Sequence, residues 1–175
     1  SFGGDVISRI KAAADGQLSA LTGAIRRQLT GMIRSLCQEA RVEPGQISRM
    51  AVAANTTMCH LLDGLDPASL GVAPFIPASR FGDCRPAEAF GLPFDGEVYL
   101  APAVSGYVGG DITADLLSVR ADQAEAPILL IDVGTNGEMA LGYGEHFVCC
   151  STAAGPAFEG AQLSCGMTAA PGAIS

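Results

Sequence analysis

Residues 127–150 read PILLIDVGTNGEMALGYGEHFVCC: three apolar runs parted by two glycine-bearing turns. Runs of this length, rich in Ile, Leu and Val and separated by Asn-Gly and Gly-Glu, are the pattern of an antiparallel meander. Pro127–Val133 is the first strand, Gly134–Gly137 turns the chain, Glu138–Tyr143 returns, and His146–Cys150 is the third strand. Gly155-Pro156 then opens a helix, with Pro at a tolerated early position.

Upstream the pattern alternates. Residues 5–14 (DVISRIKAAA) form a helix with Asp5 as N-cap and Gly16 past its end. Residues 17–41 form a long amphipathic helix whose apolar positions Leu18, Leu21, Ile25, Leu29, Met32 and Leu36 step by three and four. VEPGQ breaks it. Ile47–Ala54 is a short buried strand, Asn55-Thr56-Thr57 caps the helix MCHLLDGL, and residues 66–96 are a long connection with local structure. Glu97–Ala101 is a second strand and Val108–Val119 a helix. The expected order is therefore α, α, β, α, β, α, a polar linker at 121–126, then β, β, β and the start of a helix. An α/β class follows, of the ribonuclease-H-like architecture βββαβαβα. Residues 1–120 read as the C-terminal part of one such unit without its opening meander. Residues 127–175 read as the opening of a second.

Composition removes several function classes. Eighteen acidic residues against ten basic ones give a net charge of −8, which argues against a nucleic-acid or anionic-membrane surface. Lys11 is the only lysine and follows no glycine loop, so the P-loop mode is excluded. Six scattered cysteines and two histidines give no zinc or iron–sulfur spacing, and fit a reducing cytoplasm. Cys149 and Cys150 point to opposite faces of a strand and read as core or wall residues. No signal peptide or membrane span is evident.

Four constellations carry chemistry. DVGTNGE is at minimum a hairpin turn. It also ends an apolar strand in a carboxylate, Asp132, beside glycine amides free of Cβ obstruction. Successive amides form an anion nest, and a carboxylate beside a bound phosphate suits Mg²⁺. Asn55-Thr56-Thr57, at a strand-to-helix junction, reads equally as a cap or as a phosphate- or water-orienting group. Ser151, Thr152 and Gly155 precede a helix start, and Glu159 lies one turn inside it; tight packing is the plainer reading. In YVGGDITADLL, Gly109 and Gly110 allow close helix crossing, while Asp111 and Asp115 share a solvated face.

Taken together, ILLIDVGTNGEMALG, CSTAAGPAFEGAQLSCGMTAAPGAIS, AANTTMCHLLDGLDPASLGVAPFIP and SGYVGGDITADLL resemble the ATPase domain of the reductive activators of corrinoid enzymes. These are ferredoxin-fused members of the acetate kinase / sugar kinase / Hsp70 / actin superfamily. FGGDVISRI resembles the segment after that family's first phosphate loop. The resemblance implies an ATP cleft between two ribonuclease-H-like halves. It implies hydrolysis coupled to one-electron reduction of a cob(II)alamin protein to cob(I)alamin for methyl transfer. It implies Asp132 on Mg²⁺ or its waters and, with Asn55, in the catalytic set. Gly134, Thr135, Asn136, Gly137, Glu138, Thr56, Thr57, Ser151, Thr152 and Gly155 would then lie along the nucleotide, and YVGGDITADLL at the interdomain hinge. It implies a corrinoid protein of a methyltransferase system as partner, and a 2Fe–2S cluster in a ferredoxin domain not present in these residues.

The first phosphate loop and the adenosine segment are expected outside residues 1–175. The chain is thus expected to be a fragment, inactive alone, that covers open sheet edges by a compact permuted sheet or by strand exchange in a homodimer. Two other readings stay open: a non-catalytic module that binds a corrinoid or other protein, and a small-molecule kinase of the same superfamily.

Overall fold

A computed structural model describes residues 5–134 and 136–153. The chain divides into two compact units, Ser1–Val119 and Arg120–Ser175. Thr135, Gly155, Glu159 and the helix expected from Gly155 lie outside the described residues.

In the first unit, helix α1 spans Val6–Ala12 and α2 spans Leu18–Ala40. Asp5 caps α1 by accepting from the Ser8 amide (2.7 Å) and hydroxyl (2.8 Å), which holds its carboxyl below the usual range. The two helices are joined through a π-helical turn, Ala13–Gln17, instead of being broken at Gly16. Gly16 supplies the left-handed conformation (φ 85°) that lets the chain kink without a loop.

The buried stripe of α2 also departs from expectation. It runs through Leu21, Ile33 and Cys37, flanked by Ile25 and Leu29, whereas Met32 and Leu36 face solvent. Steps of four from Leu21 lead to Ile33 and Cys37, and those two meet the sheet; the step to Met32 rotates off it.

Strand β1 (Arg49–Val52) pairs in parallel with β3 (Glu97–Leu100), with helix α3 (Thr56–Asp63) in the crossover between them. The long connection contributes a strand that the sequence pattern hid. β2 (Cys84–Pro86) runs antiparallel to β3, so β3 is central in the order β1-β3-β2. Three residues ending in Pro carry no legible alternation, and Pro is tolerated there because β2 is an edge. Leu62, Phe90, Leu92, Phe94, Val98 and Leu100 make the core under α2. Helix α4 (Gly110–Ser118) closes the unit.

In the second unit, β4 (Ile128–Val133), β5 (Asn136–Tyr143) and β6 (His146–Ala153) form the expected meander. Two boundaries shift. β5 begins at Asn136, and β6 continues to Ala153 because Ser151 and Thr152 still pair, with Glu138 and Gly137. Ile128, Leu130, Asp132, Glu138, Ala140, Cys149 and Ser151 share the more buried face. Leu129, Ile131, Val133, Leu141, Tyr143, Val148 and Cys150 share the exposed one, so Cys150 is neither core nor wall. Among the described residues no helix is long and apolar enough to cross a membrane.

Candidate functional site

The β4–β5 turn is built differently from a simple Asn-Gly hairpin. Val133 pairs with Gly137, and the Gly134 amide donates to the Asn136 carbonyl at 2.8 Å. Gly134 is outside the left-handed region, and Asn136 is already in the ladder opposite Ala153. The pairing of Asn136 with β6 overrides the local preference of Asn-Gly for a two-residue primed turn. The Gly134 N–H is therefore engaged within the turn.

Next to this turn, register brings three predicted residues into one cross-strand row. Asp132 on β4 lies opposite Glu138 on β5, and Glu138 lies opposite Ser151 on β6. The Ser151 hydroxyl donates to Glu138 Oε1 at 3.0 Å. Ser151 therefore lies within β6 and its hydroxyl is engaged by Glu138. Thr152 stands in the neighbouring row beside Gly137 and is exposed. Among the described residues the Asp132 carboxylate, half-buried, makes no hydrogen bond or ion pair. A carboxylate placed so beside a glycine turn is a donor for a cation that brings its other ligands with it. Among the described residues no group of three or more His, Cys, Asp or Glu side chains could hold a metal unaided. The donor set therefore fits Mg²⁺ carried with phosphate and water, and does not fit a protein-caged ion.

In the first unit, the C-terminal ends of the parallel strands β1 and β3 carry two helix N-termini. Asn55 caps α3, its side chain accepting from the Met58 amide at 2.9 Å. Thr56 is buried and donates its hydroxyl to the Ser105 carbonyl at 2.7 Å; Thr57 is buried as well. The two threonines thus lock the junction, and Asn55, half-buried, is the group of the three left near the surface. Gly110 donates to the Ala54 carbonyl at 3.0 Å. A Cβ on Gly109 would stand 2.6 Å from Asn55 Cα, and one on Gly110 2.6 Å from the Ala101 carbonyl oxygen. These glycines admit α4 against strand ends, where a helix–helix crossing was expected. The edge of a parallel sheet at its carboxyl ends, with helix N-termini aimed at it, is where α/β folds receive anionic ligands.

His60 is the structural residue that motif reasoning passed over. It is fully buried on α3. The Ala78 and Ser79 amides donate to Nε2 at 3.1 and 3.4 Å, so Nε2 accepts and the proton sits on Nδ1, 2.7 Å from the Thr56 carbonyl. Phe81 meets the ring edge-on at 5.1 Å. Burial holds the imidazole below its ordinary range, against the opposing pull of the Thr56 carbonyl, Asp63 and Asp66. Cys59, beside it, has its thiol pushed up to about 12 by burial and by Asp111 and Asp63, which favours the neutral thiol.

Comparisons with known proteins identify the family and the fold. Residues 1–124 match the family model described as the RACo middle region, and residues 126–175 match the C-terminal domain of RACo, the ASKHA domain. A corrinoid activation enzyme of Eubacterium limosum, RamQ, is 40% identical over 99% of this chain and 30% of its own length. The Co(II) methylated amine-specific corrinoid protein reductase of Methanosarcina barkeri is 33% identical over 81% of this chain and 28% of its own. A solved reductive activator for corrinoid, iron-sulfur protein superposes with a TM-score of 0.84 at 40% identity, over 95% of this chain and 27% of that one. The chain thus spans under a third of the length of these relatives. The two small sheets with their helices fit part of an actin-like fold. On both the sequence match and the superposition, the chain belongs to the RACo family, carrying residues of its middle region followed by residues of its C-terminal ASKHA domain.

Proposed function

We propose that this chain is part of an ATP-dependent reductive activator of corrinoid proteins, working in the cytoplasm on the corrinoid protein of a methyltransferase system. The carrying observation is 40% identity over 99% of the chain to a corrinoid activation enzyme. In this reading a one-electron donor, an iron–sulfur cluster by family resemblance, reduces cob(II) to cob(I), and ATP hydrolysis drives that uphill transfer. Each turnover moves one electron onto cobalt.

Each unit carries its own candidate groups for a nucleotide. The Asp132 carboxylate, which makes no hydrogen bond or ion pair among the described residues, would hold Mg²⁺ directly or through water. Glu138, steadied by the Ser151 hydroxyl, lies in the same row and would support the ion's water ligands. Of the described turn residues, Gly134, Asn136 and Gly137 would face the phosphates, with Thr152 beside Gly137 in the next row. Within the first unit taken by itself, Asn55 at the start of α3 would orient a phosphate oxygen or a water. Thr56 and Thr57 set that end in place without touching the ligand.

The test uses the complete protein. Asp132→Ala is expected to abolish the ATP-dependent appearance of the cob(I) absorption band, with circular dichroism and thermal midpoint unchanged. Wild-type turnover in that variant would remove Asp132 from the mechanism. Failure of the unaltered protein to be stabilised by Mg-ATP in calorimetry would remove the nucleotide reading itself.

A further inference from the structure

We propose that the loop Val72–Ile76 is a docking surface for the corrinoid protein, an inference that rests on the function proposed above. Residues 71–79, GVAPFIPAS, carry no charged side chain in a chain with 28 charged residues. Apolar groups usually leave the surface, yet Val72 is 69% exposed, Ile76 63% and Phe75 41%. Nothing in the first unit's core requires them there.

The loop is also held in shape. Its entry is fixed by Tyr107, whose hydroxyl donates to the Leu70 carbonyl at 2.8 Å. Its apex is closed by the Phe75 amide donating to the Val72 carbonyl at 2.8 Å. The Phe75 ring meets Tyr107 edge-on at 5.3 Å, and Gly106 abuts the Phe75 carbonyl so closely that a Cβ there would stand 2.5 Å away. Its exit is tied to His60 through the Ala78 and Ser79 amides. Phe75 takes a left-handed conformation (φ 61°), which is strained for a non-glycine residue. Strain and exposed apolar surface together cost stability, and three separate anchors keep both. That combination suits a surface preorganised to bind, because it avoids the entropy cost of ordering a loop on contact.

Area selects the occupant. The loop offers on the order of 300 Å² of apolar surface, in the range of single functional patches on monomers. A stable dimer buries roughly 800 Å² on each side, whereas electron-transfer encounters lie well below that. A small, uncharged, rigid patch fits a partner that must bind, receive an electron and leave, as an activator's corrinoid protein does in each cycle. It does not fit a permanent second copy.

The experiment uses the complete protein with Ile76→Asp and, separately, Val72→Asp; circular dichroism and the thermal midpoint of each variant check that it folds as the unaltered protein does. The cob(II) form of the corrinoid protein is titrated calorimetrically, and Mg-ATP is titrated in parallel. Expected are at least tenfold weaker corrinoid-protein binding, a matching rise in its KM with kcat at saturation kept, and unchanged Mg-ATP affinity. Ile76→Val is expected to behave as the unaltered protein. Wild-type corrinoid-protein affinity in both Asp variants overturns the docking assignment alone. A change in the sedimentation of the variants without partner also overturns it, by showing a self-contact. If the unaltered protein binds Mg-ATP but no corrinoid protein, the proposed function fails first and the docking surface with it.

Discussion

A neutral imidazole is required at position 60. Nε2 has two amides pointing at it, so a second ring proton would meet donors, and burial already disfavours the cation. In the unfolded chain His60 titrates near its ordinary value of 6.5; in the folded chain it titrates lower. Between those two values the unfolded state binds more protons, so acid favours unfolding. His60 therefore contributes stability that is full above about pH 6.5 and declines as pH falls through the depressed folded value. Denaturant midpoints measured from pH 7.5 to 5 are expected to fall. In His60→Gln, which cannot charge, the midpoint is lower at pH 7.5 and this part of the slope is missing. An unchanged slope in that variant would place the acid sensitivity elsewhere. Residue roles were legible in the sequence to different depths. Asp132 stood out because a carboxylate ends an apolar strand. His60 did not, since its partners Ala78 and Ser79 are backbone groups 18 and 19 positions away that no side-chain pattern announces.

At the scale of elements, α3 is the piece on which the first unit's site depends. Its N-terminus presents Asn55, its buried Thr56 fixes the β3–α4 loop through Ser105, and His60 holds the apolar loop. Its far end is capped from α2, where Arg26 donates to the Leu62 and Asp63 carbonyls at 3.0 and 3.3 Å. Asp63 pairs with Arg85 of β2 at 2.6 Å, and that guanidinium lies 4.8 Å over Phe90. Strongly periodic elements such as α2 and the β4–β5–β6 meander were readable because burial writes a period into the sequence. β2 and the true extent of β6 were not, because both are set by pairing partners and not by their own residues. The Asn-Gly turn shows the same override, since β6 captured Asn136 for the ladder. Gly109 tests how tightly α4 must approach α3. An added methyl would stand 2.6 Å from Asn55 Cα and 2.8 Å from the Ala54 carbonyl oxygen, backbone atoms that cannot rotate away. Gly109→Ala is expected to lower unfolding stability by about 1–3 kcal/mol at constant m-value, as overpacking does. It is also expected to weaken Mg-ATP binding, because the least costly relief moves Asn55. Full stability in that variant would show that α4 can slide off the junction.

Across the whole molecule, the two units solve burial in opposite ways. The first has a contiguous core under α2, reaching full burial at Phe90, Val98 and Leu100. The second is a three-stranded sheet with only one face well covered, where Ala140 is fully buried. Its other face stacks Leu129, Leu141 and Val148 in one cross-strand row, with Ile131, Met139 and Cys150 in the next. Every one of these except Met139 is exposed. That surface is too apolar and too flat to be neutral toward other chains, and the net charge of −8 repels only from a distance set by ionic strength. The 175-residue chain is therefore expected to self-associate in sedimentation velocity experiments, more strongly at high salt, where charge repulsion is screened. Ile131→Lys combined with Val148→Lys puts a cation on each outer strand of the exposed face without altering the Asp132 row, whose side chains point the other way. The double variant is expected to sediment as a monomer with an unchanged thermal midpoint. Persistent association would move the contact to a strand edge, where β4 or β6 pairs with its counterpart through open backbone groups, and a lysine on the sheet face would not interrupt it.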